Sequence, residues 1–212
     1  AGCASPAAPL VTTAPVNVAA VAPAAAGAPP KAADAPSVSP PPAAKPNAIA
    51  SPLSDAPGRI TKKPFGMYVS PGSSPVSPER FRGYHTGVDF ETTSAEQDMD
   101  VPVNAICDGT LVMKKRAAGY GGVAVESCVI GGRTATVVYG HVRLTSVKTA
   151  VGGALSAGHP FAVLGKGFSD ETDGERKHLH LGIHEGTAVV ILGYVPKKAD
   201  LGAWMDAATL LP

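Results

Sequence analysis

From residue 58 to its end, the chain is a series of short apolar runs that glycine, proline or polar residues interrupt every few positions. Such runs cover residues 101–114, 122–130 and 133–142, and the turn signals between them include Asp108-Gly109 and Gly131-Gly132. Only residues 201–211 show the pattern of a short helix. Because short apolar runs with frequent turns are typical of antiparallel sheets, we predict a mainly β domain, an antiparallel sheet or sandwich with few short helices.

The first 57 residues have a different composition. They contain 20 Ala and 13 Pro and no aromatic residue. Proline removes helix donors and favours extended backbone, and the alanine runs between the prolines are too short to nucleate a helix. We therefore predict a disordered Ala/Pro-rich tether over residues 1–57 and one domain over residues 58–212. A domain of this size can bury its own core, so we expect a monomer.

Charge and hydropathy exclude two classes of function. The chain carries 18 Lys and Arg against 17 Asp and Glu, a net charge of +1, and these charges form no basic stripe. Nucleic acid is therefore not expected as a partner. No run of about 18 or more consecutive apolar residues occurs, so we expect no segment of this sequence to span a bilayer.

The cysteines indicate the compartment. The opening Ala1-Gly2-Cys3 resembles the end of a bacterial lipoprotein signal, which predicts a lipid anchor through Cys3; a chance match is the alternative. Residues 103–114 and 122–129 are predicted to form a hairpin whose register places Cys107 opposite Cys128. Opposed residues lie close enough for a disulfide, although two buried reduced cysteines are the alternative. Because disulfides persist in oxidising compartments, we predict an extracytoplasmic protein in the periplasm or cell envelope, or secreted.

Three groups of histidines carry the chemistry. His85 and Asp89 are four residues apart around a glycine, and His141 ends an apolar strand. The third group is His178-Leu179-His180-Leu181-Gly182-Ile183-His184, where the period of a strand places the histidines on one face and the apolar residues on the other. Two histidines and one carboxylate form the ligand set of a catalytic zinc site, although the same set also describes non-haem iron.

These motifs resemble the lysostaphin-type (LytM-type) zinc metallopeptidases, which cleave peptide cross-links in bacterial cell walls. The family's His-x-x-x-Asp element appears as His85-Thr86-Gly87-Val88-Asp89, its His-x-His element as His178-Leu179-His180, and its separate strand-end histidine as His141 in Tyr139-Gly140-His141. The likeness covers about residues 59–204 and includes a glycine-rich framework.

The resemblance implies a zinc endopeptidase that acts on peptidoglycan. His85, Asp89 and His180 would bind Zn²⁺, while the catalytic residues His141 and His178 would stand beside the metal-activated water without ligating the ion. A nearby imidazole can take the proton of that water or bind the developing oxyanion. The alternative is a non-catalytic module on the same fold that binds the cell wall or activates another hydrolase. All five positions are filled, which favours the enzyme.

Some features depart from the family pattern or leave a role open. The loop over residues 166–177 is longer and more charged than the family's Gly/Ser-rich loop, which leaves substrate specificity open, and a solvated loop is favoured over a calcium site. Its acids are Asp170, Glu171, Asp173 and Glu175. His184 shares a face with His180 and could compete as a ligand. Asn47 or Asp55 in the tether could reach back as an inhibitory ligand.

Overall fold

The computed structural model describes residues 49–212, which belong to one compact unit. Cys3, Asn47 and the predicted tether up to residue 48 lie outside the described residues.

Twelve β-strands and five 3-10 helices make up the secondary structure of residues 49–212. The strands are β1 (Tyr68–Val69), β2 (Gly83–His85), β3 (Gly87–Glu91), β4 (Pro102–Asn104), β5 (Gly109–Ala117), β6 (Gly121–Ile130), β7 (Arg133–Gly140), β8 (Ala154–Leu155), β9 (Pro160–Val163), β10 (His178–Glu185), β11 (Tyr194–Val195) and β12 (Trp204–Met205). The helices are Ala56–Arg59, Ser94–Glu96, Leu144–Ser146, Lys198–Ala203 and Ala207–Thr209. The prediction of a mainly β domain with few short helices is confirmed.

The main sheet has the strand order β12-β10-β7-β6-β5-β8, and β3 also pairs with β10. Two smaller sheets, β1-β2-β11 and β4-β9, complete the fold, and every strand pairing in the described part of the chain is antiparallel. In the main sheet β10 is bonded to β7 along one edge and to β3 and β12 along the other. His180 therefore lies between Asp89 of β3 and Gly140 of β7.

The apolar face of β10 anchors this arrangement in the core. Leu179, Leu181 and Ile183 are fully buried in the main hydrophobic cluster, together with Phe90 of β3 and Tyr139 of β7. Alternation along a strand sends these side chains to one face and the histidines to the other. The packing of the leucines and the isoleucine thus sets the direction in which the histidines point.

The globular unit begins earlier than predicted. Ile49, Leu53 and Ala56 are buried in the main core, and the amide of Ile49 donates to the carbonyl oxygen of Leu210 at 3.0 Å. The assignment of residues 49–57 to a tether that packs against nothing is therefore wrong. These apolar side chains are stabilised by contacts with distant parts of the chain, which local composition does not reveal.

The hairpin of β5 and β6 has a different register from the predicted one. Gly109, rather than Cys107, lies opposite Cys128, because β5 continues to Ala117 and moves the turn towards the C-terminus. Cys107 precedes the strand, but its Cα atom still lies 6.3 Å from that of Cys128 and the two residues form a disulfide. The predicted disulfide is confirmed, whereas the predicted facing pair is wrong.

The helix predicted near residues 201–211 is replaced by two 3-10 helices with β12 between them. Met205 of β12 pairs with Ile183, so this segment extends an edge of the main sheet. Sheet pairing overrides the weak local helical pattern here. No helix in residues 49–212 has the length and apolar character needed to cross a membrane.

Candidate metal centre

The sheets bring the two parts of the His/Asp pattern together. His85 ends β2 and Asp89 lies in β3, with Thr86 alone between the two strands. His180 of β10 lies directly opposite Asp89, so two motifs that are 91 residues apart in sequence meet in the structure. Pairing of His85 with Tyr194 of β11 holds the first histidine from its other side.

Three side-chain atoms form a nearly equilateral triangle. His85 Nε2 lies 3.0 Å from His180 Nδ1 and 3.3 Å from Asp89 Oδ1, and the last two atoms are 3.2 Å apart. All three residues are buried. Ligands at about 2.0–2.1 Å from a tetrahedral zinc ion lie about 3.3 Å from one another. The three residues, called the triad below, therefore fit three corners of a zinc coordination tetrahedron.

Hydrogen bonds prepare the first two members of the triad as ligands. His85 Nδ1 donates to the carbonyl oxygen of Pro64 at 3.2 Å, which leaves the Nε2 lone pair facing the triad. Asp89 Oδ1 faces the triad, while Oδ2 accepts from Arg176 Nη2 at 2.9 Å. Burial alone would raise the pKa of Asp89, but the neighbouring His178 and His85 hold it well below its usual value. The carboxylate is therefore ionised.

The ring of His180 occupies a space that a glycine keeps open. Burial lowers the pKa of His180 to about 4, so the ring is neutral at pH 7 and can act as a ligand. A Cβ atom on Gly87 would lie 2.8 Å from Cε1 and Nε2 of this ring and 2.6 Å from the carbonyl oxygen of Leu181. The glycine inside the His-x-x-x-Asp element is thus required by a close approach between β3 and β10.

Two further histidines lie beside the triad. His141 follows β7 and His178 begins β10, and their ring centroids are 4.2 Å apart. His178 Nδ1 donates to the carbonyl oxygen of Arg176 at 2.9 Å, which leaves Nε2 at 3.3 Å from Asp89 Oδ2. Burial, with His178 close by, lowers the pKa of His141 well below its usual value. His141 is therefore a neutral base, and neither ring contributes an atom to the triangle.

Asp89 and His180 of the triad, together with His141 and His178, line one cavity of about 270 Å³. Its other charged lining residues are Lys63, Arg82, Glu175 and Arg176. Its apolar walls include Phe81, Tyr120, Ile191, Leu192 and Tyr194. A ligand set for a divalent ion, two imidazoles and an apolar wall therefore share one space, an arrangement suited to polarising and hydrolysing a bound carbonyl compound.

The model of peptidase family M23 matches residues 83–191, slightly more than half of the chain, and this stretch contains the triad, His141 and His178. The chain belongs to peptidase family M23. The predicted resemblance to LytM-type metallopeptidases is thereby confirmed. No curated protein matches this M23 sequence significantly.

Two solved structures share the fold of this M23 protein, and a third, LytU, scores lower. The structure of cbpa from L. salivarius REN has a TM-score of 0.51 at 22% identity and covers 78% of this chain and 95% of that chain. A chain of the SpoIIQ–SpoIIIAH pore forming complex has a TM-score of 0.50 at 16% identity, and the match covers 79% of the present chain and 92% of the chain from the complex. LytU has a TM-score of 0.47 at 21% identity, with 70% and 80% covered. At these identities the likeness concerns the fold alone.

The two remaining histidines and Asp55 lie apart from the triad. His184 is half-buried and its ring packs against Trp204, with centroids 4.9 Å apart, so the structure does not bring it to the triad. Asp55 is exposed and is not among the residues that line the cavity. His159 is exposed in a turn. A second cluster, Cys107 with Glu126 and Cys128, offers no thiolate because its sulfurs form the disulfide.

The acids of the 166–177 loop are engaged in ion pairs. Asp170 pairs with Arg116, Glu171 with Arg143, and both Asp173 and Glu175 with Arg80. The four carboxylates therefore pair with three arginines, and Glu175 is buried, so the loop is an ion-paired segment rather than the solvated loop that was predicted. These pairs tie the loop to β5, to the segment after β7 and to the segment before β2.

Sequence reasoning missed two residues of the site in this M23 domain. Arg176 holds the outer oxygen of Asp89, and Tyr120 packs its ring against His180 and His141, with centroid distances of 5.3 and 5.6 Å. The period of a strand, extended two residues back from His178, would have placed Arg176 on the histidine face. Tyr120 offered no comparable signal, since it lies in a glycine-rich turn.

Proposed function

We propose that this protein is a zinc-dependent endopeptidase that hydrolyses the peptide cross-links of bacterial peptidoglycan. The observation that carries the proposal is the triangle formed by His85 Nε2, Asp89 Oδ1 and His180 Nδ1, whose edges of 3.0 to 3.3 Å match those of a zinc tetrahedron. Membership of peptidase family M23 supports peptide hydrolysis.

The chain's own residues would define the coordination. His85 presents Nε2, since its Nδ1 is bonded to the Pro64 carbonyl oxygen, His180 presents Nδ1, and Asp89 presents one oxygen because Arg176 occupies the other. Zinc bound at such a site lowers the pKa of water to about 7 and polarises a carbonyl group. With three protein ligands, a coordination position is left for solvent or substrate, as in catalytic rather than structural sites.

His141 and His178 would manage the protons of the reaction. His141 is buried, neutral and next to His178, so it can accept a proton from the attacking water. His178 is oriented by its bond to the Arg176 carbonyl oxygen, which turns Nε2 towards the triad side of the cavity. From there it can donate to the developing oxyanion when both of its ring nitrogens carry protons, and the proton that His141 accepts from the water can pass to the leaving amine. No nucleophilic side chain is needed, so we expect no covalent intermediate.

We also propose that the protein works outside the cytoplasm as a monomer. The Cys107–Cys128 disulfide supports an oxidising compartment. The lipid anchor through Cys3 stays a prediction, because Cys3 lies outside the described residues.

The test combines metal analysis with digestion of purified sacculi by the full chain. Elemental analysis should find one zinc per chain, and mass spectrometry should detect released peptides. His180→Ala should lose both zinc and activity. His141→Ala should keep zinc and lose about 100-fold or more in kcat. His159→Ala, which changes an exposed histidine away from the triad, is the matched control and should behave as wild type.

Each other outcome has a clear meaning. A wild-type chain that binds no metal would overturn the proposed metal site. A chain that binds stoichiometric iron instead of zinc would show that the site is a non-haem iron site. A zinc-loaded chain that binds sacculi but releases no peptide would favour the non-catalytic module.

A further inference from the structure

One cationic side chain that lines the cavity has no carboxylate partner within residues 49–212. Lys63, Arg82 and Arg176 all line it. Lys63 is paired with the buried Glu79 at 2.6 Å, and Arg176 is paired with Asp89 and Glu91. Arg82 is exposed, and within residues 49–212 no carboxylate lies at ion-pair distance from it.

The nearest acidic loop does not supply the missing partner. Glu175 also lines the cavity, but its carboxylate pairs with Arg80 at 2.9 Å, and Asp173 pairs with Arg80 at 3.3 Å. Two arginines that are two residues apart are thus used differently. Arg80 holds the acidic loop, whereas Arg82 lines the cavity and has no carboxylate partner in residues 49–212.

The segment that carries Arg82 is anchored on both sides. Glu79 Oε1 accepts from the Phe81 amide at 2.9 Å, and the carboxylate of Glu79 is itself held by Lys63. The Phe81 ring stacks on Tyr194 with centroids 5.3 Å apart. On the other side, β2 begins one residue after Arg82 and ends at the triad member His85. Arg82 therefore lies three residues before the triad member His85, on a segment whose two ends are both anchored.

We propose that Arg82 binds a carboxylate of the substrate peptide and makes the site prefer peptides that carry a carboxylate near the scissile bond over uncharged bridges such as oligoglycine. This inference rests on the proposed peptidase function and adds its substrate class. A planar guanidinium binds a carboxylate through two parallel hydrogen bonds, which an amide cannot reproduce. The carboxylate can be internal, on a diamino acid or glutamyl residue, or it can be the peptide's C-terminus.

The test uses zinc-loaded full chain and four synthetic stem peptides. They share one sequence containing a diamino acid and carry a carboxylate or a carboxamide at the internal position and at the C-terminus, in all four combinations. For each peptide kcat/KM is measured for wild type, Arg82→Gln and Arg82→Lys. Arg133→Gln is the matched control, because Arg133 is an exposed arginine that pairs with Glu185 away from the cavity.

We expect wild type to prefer one carboxylate over its carboxamide by about tenfold or more, mainly through KM. Arg82→Gln should abolish that preference, Arg82→Lys should restore part of it, and Arg133→Gln should leave it unchanged. The peptide pair that responds identifies whether the internal or the terminal carboxylate is bound. Equal preference in wild type and Arg82→Gln, or no preference in wild type, would overturn the assignment of Arg82.

Failure of the proposed function gives a different result. In that case wild type cleaves none of the four peptides and releases nothing from sacculi. The role of Arg82 is then tested by measuring the Kd of the same uncleaved peptides by calorimetry. Tighter binding of a carboxylate peptide than of its carboxamide, lost in Arg82→Gln, would support carboxylate binding by Arg82. Equal Kd values would overturn it.

Discussion

The substitution Gly87→Ala tests the close approach on which the triad depends. The added Cβ would lie 2.8 Å from two atoms of the His180 ring and 2.6 Å from the Leu181 carbonyl oxygen. Carbon atoms pack at about 3.5–4.0 Å, so the ring has to move by about 0.7 Å or more. A metal site tolerates ligand displacements of only about 0.2 Å. We therefore expect zinc affinity to fall by about 10–100-fold, the range seen when support of a ligand is lost.

The assay is competition for zinc with a chromophoric chelator, with thermal unfolding of the metal-free chain measured in parallel. Gly87→Ala should also lose about 1–3 kcal/mol of stability, because overpacking strains the sheet. The matched control is Gly109→Ala, whose Cβ would lie 2.6 Å from the Ser127 carbonyl oxygen at the disulfide end of the main sheet. It should lose similar stability and keep its zinc affinity.

Two results would refute this reasoning. One is a folded Gly87→Ala protein that binds zinc within about threefold of wild type. The other is an equal loss of zinc affinity in Gly109→Ala, which would mean that general destabilisation, and not displacement of the His180 ring, controls the metal.

Three further predictions concern stability. Burial raises the pKa of Glu126 from 4.5 to about 7, so between these pH values the folded chain keeps a proton that the unfolded chain releases. The free energy of unfolding should therefore fall by on the order of 3 kcal/mol as the pH rises from 4.5 to 7. The Glu126→Gln variant should lack this dependence on pH. Cys107→Ser with Cys128→Ser should cost about 3 kcal/mol in chemical denaturation, because the bridge closes a loop across 21 residues, and should leave zinc affinity unchanged. Lys63→Met should cost about 3 kcal/mol by leaving buried Glu79 unpaired, while Lys63→Met with Glu79→Leu should cost less than either single change.

Each of these predictions can fail independently. An unchanged pH slope in Glu126→Gln would assign the slope to another group. A serine variant as stable as the oxidised wild type would remove the role of the bridge. Additive losses in the double Lys63 and Glu79 variant would show that the two side chains do not act as a pair.

Local spacing groups the histidines, whereas the choice of His85, Asp89 and His180 as ligands follows from the resemblance to the LytM-type family. A strand period over residues 178–184 with leucines at alternate positions predicts histidines on one face, and both Leu179 and Leu181 are buried as this requires. His85 and Asp89 lie on two strands that are consecutive in sequence but belong to different sheets, and with one residue between the strands their side chains still meet. Patterns of this kind depend only on backbone geometry, which sequence period reports directly.

Register and boundaries were less predictable because they depend on distant contacts. A bulge between Leu111 and Met113 and a late turn change the pairing of β5 and β6, and neither has a signal strong enough to be read from the hairpin sequence. Ile49 is surrounded by alanine and proline and looks like part of the tether. Its side chain is nevertheless buried in the main core, and its amide donates to the carbonyl oxygen of Leu210, which is 161 residues away in sequence.

The sequence by itself determined which donor types are present, their spacing along strands and the β character of the domain, since these follow from side-chain chemistry and strand period. Only the tertiary structure decided which charges are used and which stay available. Arg176 is joined to Asp89 across 87 residues, and Arg80 uses the loop acids that Arg82 does not reach. Such pairings depend on how β3, β10 and the connecting loops pack in space, and no local pattern encodes that packing.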